Sequence, residues 1–279
     1  MSYGSNAPQS GGALPPLSIG NVVSAAFRLY SSHLKPYLTQ SVIAHLWVLL
    51  PIYGWAKYAA KTGLISRLAF GELSNQPEGV GEAHPKTDRA KWSFLGVLIR
   101  VGLWMFVAYL VFALLAGIVG GLLAVILRSI LGAQATQAPG IFLVSFLIII
   151  GAIAGVTWIY SRFVIAEVPL AVEEGLNSKK SVDRSWSLTK ASVFRIQGVV
   201  LVGFLITLPI LFLFNYLPQI GMLATPEGSA LYWTLYTVSL LTSLVGNVFV
   251  MPFWQALKAV LYYDLRSRRE GLDLNLRDR

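Results

Sequence analysis

Residues 93–130, SFLGVLIRVGLWMFVAYLVFALLAGIVGGLLAVILRSI, decide the fold. The run is apolar from Phe94 to Ile130, with Arg100 and Arg128 its only charges. About 20 apolar residues make a helix long enough to cross roughly 30 Å of hydrocarbon. This stretch exceeds that length, so it predicts a spanning helix that tilts or projects beyond the bilayer. The alternating pattern of a membrane barrel is absent, which leaves the helix as the spanning element.

The rest of the chain agrees. Its 279 residues are 55% hydrophobic and only 13% charged, with a mean hydropathy of +0.63, a balance outside that of soluble domains. The net charge of +9 is carried beside apolar runs, as in cytoplasmic segments that face anionic headgroups, and not in the pattern of a nucleic-acid binder. With no cysteine, disulfides, thiolate metal sites, iron–sulfur clusters and thiol nucleophiles are excluded. Residues 1–16, MSYGSNAPQSGGALPP, lack the basic and apolar regions of a secretory signal and read as a disordered leader. Residues 17–274 read as a single transmembrane helical domain, and 275–279 as a short tail.

Within that domain Ser18 can cap a helix whose Val22, Val23, Ala26, Phe27 and Tyr30 share one side, the pattern of an interfacial amphipathic helix. Residues 36–73 make two passes if the chain breaks at Pro51; Lys57, Lys61 and Arg67 in the second arm must snorkel, face protein, or mark an interfacial helix. Further helices follow from Phe94, from Ile141 through Val172, from Ile196 to Tyr216, and from Leu231 to the C-terminal region. The expected class is therefore all-α, a polytopic bundle of about six spans with cytoplasmic interfacial helices. Three similar stretches, 22–38, 79–95 and 181–196, each lead an apolar hairpin and suggest a weak threefold repeat.

Orientation follows from the basic residues. Lys86, Arg89 and Lys91, then Lys179, Lys180, Arg184, Lys190 and Arg195, then Arg266, Arg268 and Arg269 mark three segments, whereas 132–140 and 217–229 contain no Lys or Arg. The positive-inside rule places the basic segments and both termini in the cytoplasm.

Two motifs carry a family resemblance, DRSWSLTK (183–190) and MPFWQALKAVLYYDLRSRREGLDL (251–274). They resemble the membrane domain of some glycerophosphodiester phosphodiesterases, found also in stand-alone bacterial integral membrane proteins; the likeness covers about residues 17–274 in layout. It implies an all-helical polytopic domain in a bacterial inner membrane and no activity, because the catalytic barrel, some 250 residues in usual size, has no room in this chain.

Candidate site residues are few. Tyr262 and Tyr263 suit the membrane boundary, with Arg266, Arg268 and Arg269 just beyond it for anionic headgroups or an acidic partner, and Gly271 to stop the helix. The tail also offers Asp264 and Glu270 to basic residues of the other cytoplasmic helices. Arg100 and Arg162 are intramembrane charges; Arg162 precedes Glu167 and the Glu173–Glu174 pair, and the reading is snorkelling, with an internal ion pair to these acids as the sharper alternative. Gly117 and Gly121, and Gly151 and Gly155, are spaced for close packing of two helices. His33, His45 and His84 are scattered, no HExxH, GxSxG or P-loop pattern occurs, and Ser185 and Thr189 read as capping or helix-surface groups. No catalytic residue, metal or cofactor is expected. The resulting expectation is a non-enzymatic membrane protein that organises or assembles at the cytoplasmic face, with lipids, a membrane complex or self-association as partners and no nucleic acid. A transporter or channel for a small solute or lipid is the alternative, resting on the intramembrane charges and the breaks at Pro51, Pro169 and Pro209.

Overall fold

A computed structural model of the chain describes residues 17–132 and 139–270. The leader, Gly271 and the tail beyond it lie outside the described residues. Among those described, every regular element is helical: α1 (Ile19–Ser32), α2 (Leu34–Val48), α3 (Tyr53–Leu73), α4 (Val80–Arg89), α5 (Lys91–Leu131), α6 (Pro139–Phe163), α7 (Glu167–Val172), α8 (Ser178–Thr189), α9 (Val193–Leu211), a π-helical turn (Phe212–Tyr216), α10 (Leu217–Leu223) and α11 (Ala230–Glu270).

Burial divides these helices into a head and four legs. Leu98, Leu103, Phe106, Leu114 and Leu122 of α5 are exposed, as are Phe142, Leu147 and Ile153 of α6, and Trp233, Leu240 and Val245 of α11. Apolar surface of this extent on long helices is what lipid, not water, covers. Four segments are long and apolar enough to cross a membrane: Lys91–Ile130, Phe142–Val172, Val193–Leu223 and Ala230–Glu270. They form two hairpins, α5 with α6 and α9–α10 with α11, and α6 also lies against α9.

The expectation of about six spans exceeds these four because α2 and α3 belong to the head. α3 is its most enclosed helix: Leu64, Ile65, Leu68 and Ala69 pack with Tyr37, Ile165, Val168, Leu261 and Tyr262. Its charges face protein. Lys57 donates to Asp88 at 2.7 Å, Lys61 is 7% exposed and donates to the Gln40 amide oxygen at 2.7 Å, and Arg67 donates to both Glu78 oxygens at 2.6 Å and to the Ala171 carbonyl. A helix with three such side chains is costly in lipid, and burial against polar partners removes that cost.

The break at Pro51 is present. α2 ends at Val48, and Ile52 takes a φ of 61° before α3 begins. The turn exposes Leu49, Leu50, Ile52, Tyr53 and Trp55. Tyr53 makes an edge contact with Trp92 in the first turn of α5, with centroids 6.3 Å apart.

Ser18 caps α1 as expected, accepting from the Asn21 amide at 3.1 Å. The apolar face of α1 meets protein instead of the interface: Val22, Val23 and Ala26 are buried on Val199 of α9 and on Phe253, Leu257 and Val260 of α11, while Phe27 is left exposed. The helix expected to run through Val172 stops at Phe163. Pro169 has no amide to give Ile165, and α7 resumes at Glu167 after a turn in which the Ala166 amide donates to the Phe163 carbonyl. A short helix precedes each of the three hairpins, α1 before α2–α3, α4 before α5–α6, and α8 before α9–α11.

The glycines correct a second expectation. Nothing lies where a Cβ would stand on Gly117, Gly121 or Gly151, and among the four only Gly155 faces its neighbour, leaving room for the Phe112 ring of α5. A further close approach that requires glycine lies in the head, where a Cβ on Gly63 would overlap Phe94, itself only 2% exposed. Gly63→Ala should therefore lower stability by about 1–3 kcal/mol, the range for overpacking a filled core. Gly121→Leu should leave the unfolding midpoint in detergent unchanged. Equal midpoints for Gly63→Ala and the parent chain would show that Phe94 yields.

Candidate functional site

The C-terminal half of α11 gathers charges from several elements of the head. Asp264 is 5% exposed, yet it meets Arg195 at the start of α9, Arg268 one turn on at 2.9 Å, and the Leu17 amide at 3.4 Å. A buried carboxylate is held as an anion at this cost only when cations and amides surround it. Glu173, just after α7, forms a second centre. It accepts from the Tyr262 hydroxyl, from Arg184 of α8 at 3.1 Å, and lies 3.8 Å from Arg266. Arg184 continues to Glu270 at 2.5 Å, and Arg266 closes the ring to Glu270 at 3.0 Å.

This geometry sorts the expected tail residues. Asp264 and Glu270 do pair with basic residues of other head helices. Tyr262 is fully buried and therefore not a boundary residue, and Tyr263 is half-buried beside Phe70. Arg266 and Arg268 are engaged by Glu173, Glu270 and Asp264. Arg269 is exposed, and its guanidinium donates to the Ser187 carbonyl at 2.6 Å with no described carboxylate as partner.

Arg162 makes no ion pair among the described residues. Glu167 is taken by Lys258 at 2.7 Å, with the Thr62 hydroxyl at 3.5 Å, and Glu173 by the groups above. The Arg162 guanidinium instead lies over Trp186, 4.1 Å from the ring centroid. Its carbonyl, at the end of α6, accepts from Ser185 at 2.8 Å and Thr189 at 3.3 Å. Those hydroxyls thus satisfy one of the carbonyls that a helix end leaves free. Arg100 donates to the Ser178 hydroxyl at 2.5 Å, where α5 passes the start of α8. Arg128 is exposed at the far end of α5.

Sequence reasoning missed Lys258–Glu167, Lys61–Gln40 and Ser66–Gln255, the last at 2.9 Å. The available signal was the presence of Lys258 and Gln255 inside an apolar run, where each must find a partner. At the opposite end of the molecule, a cavity of about 510 Å³ between α10 and α11 is lined by Gln219, Thr225, Glu227, Tyr232, Tyr236 and Ser239, among others. No group of three or more potential metal ligands occurs among the described residues.

Several cations remain without an ion pair among the described residues: Arg28, Lys35, Arg89, Lys179, Lys180, Lys190 and Arg269, all on the head. All seven are exposed, whereas Lys61 and Arg162 are unpaired cations inside the head.

Two measurements probe the internal network. Asp264→Asn should destabilise the chain by about 1–3 kcal/mol, the range for losing charge-assisted hydrogen bonds to the half-buried Arg195 and to Arg268, read as a lower unfolding midpoint. Glu78 provides the pH dependence. Hydrogen bonds from Arg67, then Lys86, hold its carboxyl down from 4.5 to about 2. Its folded value lies below its unfolded one, so the stability it contributes is present above about pH 4.5 and is lost as the pH falls toward 2. Glu78→Gln should flatten that part of the acid profile, and an identical profile would remove Glu78 from the account. Comparison of the chain with models of protein families, with curated proteins and with solved structures gave no match in any of the three.

Proposed function

We propose that this is a non-enzymatic multi-pass protein of a bacterial inner membrane, with both termini cytoplasmic, that acts as an organising or assembly factor through the basic surface of its head. The observation that carries the reading is the division of charge. Most acidic groups of the head, though not Glu82, Glu174 and Asp183, are held in pairs within it, and most of the cations left over are exposed beside four helices suited to lipid. Such residues next to spanning helices bind anionic headgroups or acidic protein surfaces at about 1 kcal/mol each.

In this reading the outer faces of α1, α4 and α8 lie along the inner leaflet, and the α2–α3 hairpin dips into that leaflet and returns. The exposed Leu49, Leu50, Ile52 and Trp55 at its turn support the dip. The resemblance to the membrane domain of glycerophosphodiester phosphodiesterases stays part of the proposal. Its two motifs meet in space, through Arg184 with Glu270 and Arg269 with the Ser187 carbonyl. Transport draws less support, since Lys57 and Lys61 are bonded to Asp88 and Gln40 and do not line a passage.

The test compares the parent chain with a Lys35→Gln, Lys179→Gln, Lys180→Gln, Lys190→Gln variant, each purified in mild detergent at low and high salt. The variant should insert normally, because the spans dictate insertion, but it should lose co-purifying anionic lipid or protein, as the parent does at high salt. The same lipids and proteins on both chains at every ionic strength would overturn the proposal.

A further inference from the structure

Arg162 is 3% exposed, its Nε has no hydrogen-bond partner, and the nearby carboxylates are occupied by other cations. Arg269 stands on the Ser187 carbonyl, one residue from the Trp186 ring that Arg162 covers. A buried guanidinium facing a second cation is unfavourable unless something neutralises it.

The surroundings are built as a shelf. Trp104 of α5, Phe163 of α6 and Trp186 of α8 follow one another with centroids 6.3 Å and 5.3 Å apart, and the Arg162 guanidinium caps the row over Trp186. Phe163 is buried, while Trp104 and Trp186 are 57% and 39% exposed. The row therefore starts on the surface of α5 that lipid covers and ends at two cations. Tryptophan rings favour this depth, at headgroup level.

We propose that Arg162 and Arg269 bind the phosphate of an anionic phospholipid, with its glycerol and upper acyl chain lying over Trp186 and Trp104. The inference rests on the membrane-facing head proposed above and gives it a specific site. A planar guanidinium fixed by stacking keeps its N–H edge free for a phosphate oxygen. Arg269, anchored on the Ser187 carbonyl, supplies a second charge. DRSWSLTK then acquires a purpose position by position: Ser185 and Thr189 grip the Arg162 carbonyl, Trp186 carries its guanidinium, and Ser187 holds Arg269. A lipid phosphate is preferred to free phosphate because the apolar shelf continues from the cations into the lipid-facing surface of α5.

The experiment is native mass spectrometry of the delipidated full chain with added phosphatidylglycerol, phosphatidylcholine of matched chains, or inorganic phosphate. The parent should retain phosphatidylglycerol over phosphatidylcholine. Arg162→Gln and Arg269→Gln should each weaken that binding about tenfold, the size of one charge-assisted hydrogen bond, without changing phosphatidylcholine. An Arg128→Gln variant, changed at the exposed far end of α5, should stay near the parent. Arg269 is exposed, so its variant tests the site without disturbing the packing of α6 on α8. Parent-like phosphatidylglycerol binding by both arginine variants overturns the site but leaves the basic head intact as a proposal. Absence of any phosphatidylglycerol preference in the parent overturns both. Displacement of the lipid by inorganic phosphate at equal concentration overturns the lipid assignment.

Discussion

The crossing of α3 over the C-terminal half of α11 organises the head. Ser66 bonds Gln255, Phe70 packs on Tyr262 with centroids 5.6 Å apart, and Phe94 of α5 fills the space that Gly63 leaves open. Three cations on α3 need partners, and each recruits a different element: Lys61 takes Gln40 of α2, Lys57 takes Asp88 of α4, and Arg67 takes Glu78 and the end of α7. Polar pairing at this depth is costly to leave incomplete, so the positions of those helices follow from the position of α3.

α11 carries this arrangement toward the membrane. At 1.5 Å per residue its 41 residues extend roughly 60 Å, about twice the hydrocarbon thickness. Its second half is buried in the head and its first half faces lipid. Asp264 fastens α9 to this rod, and Glu270, through Arg184, fastens α8. The charged ending after an apolar run is thus chiefly a clasp between helices; Arg269 alone among its arginines has no ion pair among the described residues.

Membrane class, the break at Pro51 and the Ser18 cap were legible because each depends on local chemistry: a long apolar run, a missing amide, a hydroxyl ahead of free amides. The role of α3 was not, because residues 53–73 are apolar enough to suggest a pass and only the partners of Lys57, Lys61 and Arg67 show otherwise. Pairing of Glu167 was missed for a related reason. Arg162 is nearby in sequence, but Lys258, 91 residues away, reaches it. Gly117, Gly121 and Gly151 failed as packing residues because α5 and α6 are apolar on every side, so periodicity cannot say which face meets protein and which meets lipid. Among the sites, the tail arginines were found as a group, but their division into engaged and free depended on acids far along the chain.

The turn between α2 and α3 has a mechanical consequence. Ile52 is β-branched and adopts a left-handed backbone conformation, a strain of order 1–3 kcal/mol, and the backbone of α2 presses so close to Gly54 that no Cβ fits there. A hairpin end this constrained does not flex under load. If the turn is immersed in one leaflet, as proposed, its leucines and tryptophan add cross-section to that leaflet alone, and a rigid wedge passes the resulting lateral pressure straight to α3. The most enclosed helix of the molecule would then be the one that feels the tension of the bilayer.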